Sequence, residues 1–328
     1  MGEKELEILT QYDIDVESTR RVRGAVLCET KQGVFLLKEM TFSEKQIPVL
    51  YEIHLHLKEH GYENVDMIVK NREGAFVSAS EEGTKYILKH WFYGKECDSK
   101  KEKDIMSGVE NLARLHQMLV KPSCEALRER EDLESEFFRH NRELKKVRTF
   151  MRDKVGKGEF ELLFLKHFDE MYEWADCACS RLQNSGYRTL YVQSEEKGTI
   201  AHGDYNYHNV LMTPSGIATT NFEHFYRGIQ VTDFYYFLRK TMEKNQWDVS
   251  LGEEMLEKYN RVRALSKEEL WYLAVQIAYP EKFWKAANSY YRSRKAWISA
   301  KSLEKLKLAI LQTEEKRKFL ETVFSFYL

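Results

Sequence analysis

The stretch Ile200-Ala201-His202-Gly203-Asp204-Tyr205-Asn206-Tyr207-His208-Asn209-Val210-Leu211 decides how this chain is read. An apolar lead-in ends at His-Gly-Asp, Asn209 follows five residues after Asp204, and an apolar Val-Leu pair closes the string. A loop of that length aims one carboxylate at a substrate hydroxyl and one amide oxygen at a metal ion. Asp204 would accept the hydroxyl proton, and Asn209 would help hold Mg2+ on nucleotide phosphates. His-Gly-Asp alone is a turn of the kind that caps strands. The whole string of Asp, four residues, Asn and an apolar pair is much more specific.

Around this loop the chain has 328 residues, a length for two domains or one two-lobed unit. Hydrophobic residues make up 43% and charged residues 31%, enough for a sizeable core and against wholesale disorder. Lys plus Arg is 51 and Asp plus Glu is 52, a net charge of −1, which argues against a protein built to coat nucleic acid or an anionic membrane. Four prolines in the whole chain favour long helices. The five cysteines, Cys28, Cys97, Cys124, Cys177 and Cys179, are odd in number and widely spaced. They form neither a disulfide framework nor a zinc site and suit a reducing compartment. The first residues are acidic and carry no apolar leader segment, and Leu6 stands where a myristoylation signal needs Ser or Thr. No run reaches 18 uncharged apolar residues, so no transmembrane helix is expected and the chain reads as cytoplasmic.

The first 90 residues read mostly as strand. Runs 21–29 and 34–40 flank Lys31-Gln32-Gly33, with Gly where a hairpin needs positive φ. Over 43–61 the period turns helical, with Ile47, Leu50, Ile53 or His54, and Leu57 on one face and Gly61 as a C-terminal cap. Strands are then expected at 65–70, 75–79 and 85–91, all in one antiparallel sheet carrying a single helix. Beyond Phe92-Tyr93-Gly94, helical periodicity covers 103–119, 125–154 and 159–184, broken at Pro122 and at Gly156-Lys157-Gly158. A short β interlude at 199–215 follows, and helices resume from about Val231. Ser266 with Glu269 makes a capping box, and Pro280 marks a helix start or kink.

Residues 202–211 resemble the catalytic loop HGDxxxxN of the aminoglycoside phosphotransferase and choline kinase superfamily, whose fold is protein-kinase-like. Val34-Phe35-Leu36-Leu37-Lys38 resembles the strand whose lysine contacts the α/β-phosphates, and the next helix offers Glu52 as its ion-pair partner. Residues 88–94 fall where the interlobe hinge belongs, and Leu112-Ala113-Arg114-Leu115-His116 looks like the LA-x-LH helix of that superfamily. Within it, the chain is similar to the CotS family of spore coat proteins. Three stretches carry that likeness: Thr220 to Glu223 with Gln230 to Lys240, Ala278 to Lys285, and Tyr290-Tyr291 with Lys295-Ala296-Trp297. The resemblance implies an α+β, bilobal fold with a small antiparallel-sheet N-lobe at 1–91 and a mostly helical C-lobe at 92–328, its catalytic-type loop at 200–223. It implies ATP and Mg2+ as cofactors, with Asp204 as base, Lys38 and Glu52 toward the nucleotide, and Asn209 and Asn221 toward the metal. Implied partners are a small-molecule or sugar acceptor and spore coat proteins, with deposition in the spore coat.

Two departures keep two functions open. Twelve residues after Asn209, where active kinases carry an aspartate that chelates Mg2+, this chain has Asn221. An amide oxygen is a neutral ligand, and hard cations favour carboxylates. Glu223, two residues on, is a candidate to reach the metal instead. There is also no Gly-rich phosphate loop, since Arg20-Arg21-Val22-Arg23-Gly24-Ala25 holds a single glycine. The chain is therefore either an ATP- and Mg2+-dependent phosphotransferase acting on a hydroxyl, or an inactive kinase-like scaffold in coat assembly. Asp233 resembles the helix-start aspartate that braces the catalytic loop in kinase folds and is expected as an N-cap or backbone brace, His202 reads as a structural residue, and His208 is ambiguous. Lys282, Lys285, Arg292, Arg294 and Lys295, interleaved with Phe283, Trp284, Tyr290, Tyr291 and Trp297, read as amphipathic helices with snorkelling charges in preference to an anion site. The mixed-sign run 128–131 suits i,i+4 pairing on a solvated helix.

Overall fold

A computed structural model describes residues 3–120, 132–293 and 300–328. Cys124, Pro122, the run 128–131, Arg294, Lys295 and Trp297 lie outside the described residues. The chain forms two compact units, Met1–Arg128 with Lys197–Asp233, and Glu129–Glu196 with Phe234–Leu328.

The first unit opens with helix α1 (Glu3–Thr10), followed by strands β1 (Val16–Val22), β2 (Ala25–Thr30) and β3 (Gly33–Glu39) and helix α2 (Ile47–Glu59). Short strands β4 (Ile68–Val69) and β5 (Ser78–Ala79) precede β6 (Lys85–His90), β7 (Lys95–Glu96) and helix α3 (Glu102–Met118). The main sheet is antiparallel in the order β1-β2-β3-β6-β4, with β5 also on β6. The run 21–29 is not one strand. Arg23 and Gly24 take φ of 47° and 81°, turning the chain into the β1–β2 hairpin. Helix α1, unexpected from its acidic sequence, buries Ile8 and Leu9, with Tyr12 beyond its end, against Val26, Cys28, Phe35, Leu37 and Leu88 on one sheet face. The opposite face carries Leu27 and Leu36 and, by strand alternation, Lys38. Leu36 stands opposite Lys89 on β6, so both lysines project from this same face. Helix α2 buries Ile47, Leu50, Ile53, His54 and Leu57, the face expected from its period.

The chain returns to the first unit with β8 (Ile200–Ala201), β9 (Val210–Thr213), β10 (Gly216–Thr219) and β11 (Tyr226–Arg227). These form a β10-β9-β7 sheet and a β11-β8 ribbon. The second unit is helical: α4 (Leu133–Asp153), α5 (Glu159–Gln183), α6 (Tyr187–Lys197, whose last residue belongs to the first unit), α7 (Val231–Lys244, whose first turn does too), α8 (Val249–Val262), α9 (Lys267–Ala278), α10 (Glu281–Arg292), α11 (Ala300–Leu311) and α12 (Thr313–Phe324). Phe164 stacks on Phe283 at 4.9 Å and Phe234 on Tyr259 at 4.4 Å between ring centroids, all four rings being buried in this unit. The capping box at α9 is formed: Glu269 N donates to Ser266 Oγ at 3.1 Å and Ser266 N to Glu269 Oε2 at 3.0 Å. Pro280 caps α10.

Candidate functional site

Strand β8 delivers the chain into His202 with an apolar pair that is fully buried. The turn that follows needs Gly203: φ is +83°, and a Cβ there would sit 2.0 Å from the carbonyl oxygen of His224. Asp233, in the first turn of α7, accepts from the backbone N–H of His202 at 2.6 Å and of Gly203 at 2.9 Å. It also accepts from His116 Nε2 at 3.3 Å, the histidine that ends the Leu-Ala-Arg-Leu-His string of α3. Burial pushes the Asp233 carboxyl up, but the hydrogen bond and charge of His116 and the His202 imidazole outweigh it and hold it below the ordinary value. His202 donates from Nε2 to Thr220 O at 3.0 Å and accepts at Nδ1 from Asp204 N at 3.2 Å. Both residues thus hold the loop in shape.

The loop then presents Asp204, half-buried, with both carboxylate oxygens engaged. Oδ1 accepts from Asn206 Nδ2 at 3.0 Å and Oδ2 from Asn209 Nδ2 at 2.9 Å. Thr220 N–H donates to Asn209 O at 2.9 Å, which sets Asn221 beside Asn209. There Asn221 Nδ2 donates to Asn209 Oδ1 at 2.9 Å, and Asn221 Oδ1 accepts from Lys38 Nζ at 3.2 Å. Asn221 itself is left-handed, φ 63° and ψ 52°, and its N–H donates to Asp66 Oδ2 at 2.8 Å. The structure therefore brings Asp204, Asn209, Asn221 and Lys38 together. Glu52 is not among them; it is exposed on α2. The carboxylate that meets Lys38 is Glu223, at 3.3 Å. Glu223 Oε1 also pairs with the buried Lys89 ammonium, which lies 2.9 Å from Asp66 Oδ2.

Lys89 and Asp66 were not singled out from the sequence. Their signal was a charged residue inside each of two apolar strand runs, Tyr86-Ile87-Leu88-Lys89 and Val65-Asp66-Met67-Ile68. Two ammonium groups, Lys38 and Lys89, here face two carboxylates, Asp66 and Glu223. Burial pushes Glu223 up, yet the ammonium groups of Lys89 and Lys38 prevail and hold it far below the carboxylate range. Burial pushes Lys89 down, and Asp66 and Glu223 more than restore it. His54 lies against this cluster, its ring edge-on to Phe222 at 5.0 Å, and burial with the Lys89 charge lowers it to about 3. At the β1–β2 turn Arg23 reaches Glu96 Oε2 at 2.7 Å and His208 Nδ1 at 2.9 Å, so the segment that lacks a Gly-rich loop is tied to the loop carrying Asp204.

A divalent cation of the Mg2+ type asks for several oxygens, carboxylates foremost. The amide oxygens of Asn209 and Asn221 are already donated to, the second by an ammonium, and Glu223 is held by two lysines through Oε1, leaving Oε2 as a single buried carboxylate oxygen without a partner. Among the described residues no group of three His, Cys, Asp or Glu side chains comes together to hold a metal. As arranged, this donor set does not fit the ion.

The architecture and the loop define the class: an α+β, protein-kinase-like phosphotransferase fold. Residues 5–323 match the family described as "Spore coat putative kinase YutH", and the chain belongs to that family. It is similar to Spore coat protein S of Bacillus subtilis (strain 168), 23% identical over 331 residues spanning 98% of this chain and 94% of that protein, in keeping with the resemblance to spore coat proteins. Among solved structures it is similar to an aminoglycoside phosphotransferase from Alicyclobacillus acidocaldarius, with a TM-score of 0.87 at 18% identity over 97% of this chain and 94% of that one. It is also similar to the AMP-bound Spectinomycin Phosphotransferase APH(9)-Ia, with a TM-score of 0.65 at 11% identity over 94% and 97%. No helix among the described residues is long and apolar enough to cross a membrane.

Proposed function

We propose that this protein is a kinase-like scaffold of the spore coat that retains the phosphotransferase fold and loop without metal-dependent phosphoryl transfer. The observation that carries the reading is the state of Asn221. Its amide donates to Asn209 and its oxygen accepts from Lys38, so the place of a metal-chelating carboxylate is taken by a neutral side chain already spent inside the protein. Phosphoryl transfer rests on positioning and on neutralising phosphate charge, so the loss of that carboxylate removes a direct contribution. Family membership supports the coat as the destination and other coat proteins as partners.

A second reading is favoured by one specific observation: the Asp204 carboxylate is held by two amides on a braced loop, as a general base should be. On that reading the protein is a phosphotransferase for a hydroxyl of a small molecule or sugar. ATP and Mg2+ would be its cofactors, Lys38 and Glu52 would serve the nucleotide, and Asn209 and Asn221 the metal. Transfer or hydrolysis of labelled ATP with Mg2+ or Mn2+, over a panel of hydroxylated acceptors, decides between the two. The scaffold reading expects no turnover above that of an Asp204→Ala variant; metal-dependent turnover lost in that variant would establish the phosphotransferase.

A further inference from the structure

The basic groups of α10 meet a feature that the kinase-like site does not use. A pocket of about 380 Å3 opens in the second unit between α10 and α11. Lys282, Lys285 and Ser289 line it from α10 and Lys305 from α11, with Glu243 and Gln312 at its edge. Next to it a smaller crevice, sharing Glu243, Lys282 and Gln312, is lined by Arg239, Glu281 and Lys316.

The charges of this region do not balance. Glu243 accepts from Arg239 Nη1 at 2.6 Å and pairs with Lys282 at 3.1 Å. Glu281 faces Arg239 Nε at 3.2 Å, pairs with Lys285 and accepts from Tyr235 Oη at 3.0 Å. Lys305 makes no ion pair among the described residues. The Lys316 ammonium has only the carbonyls of Ala278 and Tyr279, at 3.3 and 3.4 Å, and the Trp174 ring at 5.0 Å. Four full cations, Arg239, Lys282, Lys285 and Lys305, with the partly protonated Lys316, therefore share two lining carboxylates. Snorkelling explains the exposed ends of Lys282 and Lys285, but the glutamates they reach are already committed to Arg239, a side chain 5% exposed. Burial pushes Lys316 down to about 7, with Arg239 repelling it further and Glu243 and Glu281 only partly restoring it. Arg239 and Lys316 are recessed while Lys282, Lys285 and Lys305 are exposed beside them, and like charges gathered around one pocket concentrate the field and draw a counter-charge.

We infer that this pocket binds a small multivalent anion of the phosphate-ester class, its charge set between Lys285, Lys305 and the Arg239 crevice and its polar body against Ser289 and Gln312. The volume lies at the lower end of small-molecule sites, which suits a phosphorylated sugar or similar metabolite and is too small for a nucleic acid. A monoanion would leave most of the surplus charge unmet.

Inorganic pyrophosphate is the probe, titrated against the full chain at constant ionic strength set with chloride, with the thermal midpoint as readout. The expected result is a saturable rise that chloride alone does not give, with apparent affinity at least tenfold weaker in a Lys285→Gln, Lys305→Gln double variant. Both lysines are exposed, so the double variant should keep the wild-type midpoint without ligand, which checks its fold. A Lys38→Met variant separates this pocket from the kinase-like site and should keep the full response. The inference is overturned if the wild type shows no saturable rise, if the double variant responds as the wild type does, or if the response disappears with Lys38 instead.

Discussion

Asn221 occupies the left-handed region, where Asn and Asp are tolerated far better than other side chains and Ala would cost about 1–2 kcal/mol. The position thus keeps the backbone demand of a chelating aspartate while giving up its charge. An Asn221→Asp exchange should fold normally and place a carboxylate between Lys38 and Asn209. Deeper in the cluster, His54 predicts a pH dependence. It is buried and lowered to about 3, whereas an unfolded histidine titrates near 6.5. Below about pH 6.5 the unfolded chain binds a proton that the folded chain refuses. The stability that neutral His54 supplies is complete above that pH and falls by up to about 1.4 kcal/mol per unit on the way down. Urea unfolding at pH 7 and pH 5 should show the wild type losing up to about 2 kcal/mol more than His54→Leu. Equal losses in the two proteins would mean that His54 is not the titrating group.

At the scale of elements, the catalytic-type loop is shaped by what brackets it. Asp233 at the start of α7 supplies a charged acceptor to two backbone N–H groups, and Asp233→Ala should cost about 3 kcal/mol or more, read as a lowered urea midpoint. Gly203→Ala should do comparable damage, because the added methyl would strike the His224 carbonyl. Near-wild-type stability in either variant would show that the loop is held from elsewhere. These features were legible beforehand: Asp233 as a brace came from the resemblance to kinase folds, His202 was read as a loop holder, and the face of α2 and the capping box of α9 follow from local pattern. Helix α1 was not legible, because its apolar residues are few and take meaning only from the sheet face they cover. The split of 21–29 at Arg23 depended on two successive positive φ values at a non-Gly–Gly pair, a choice that tertiary contacts make. Helix α6 fell between the helical run ending at 184 and the β interlude, where no period stood out. The pairing of Lys38 with Glu223 instead of Glu52 turns on Lys89, and strand register places the two lysines side by side only after folding.

For the molecule as a whole, a kinase-like fold over nearly the full chain is combined with a site where two lysines face two carboxylates, leaving Glu223 Oε2 and Asp66 Oδ1 buried without a hydrogen-bond partner. Family membership places the protein in the spore coat putative kinase YutH family, its fold is kinase-like, and the proposed scaffold reading rests on the balance of charge around Asn221. The most direct measurement is thermal unfolding of the full chain with ATP, with and without Mg2+ or Mn2+, beside Asn221→Asp. A ligand present at about 100 times its dissociation constant adds about 2.7 kcal/mol to the folded state, well within reach of the method. The wild-type midpoint should not respond to the metal–ATP complex, and the Asn221→Asp midpoint should rise with it. A metal-dependent rise in the wild type itself would contradict the scaffold account.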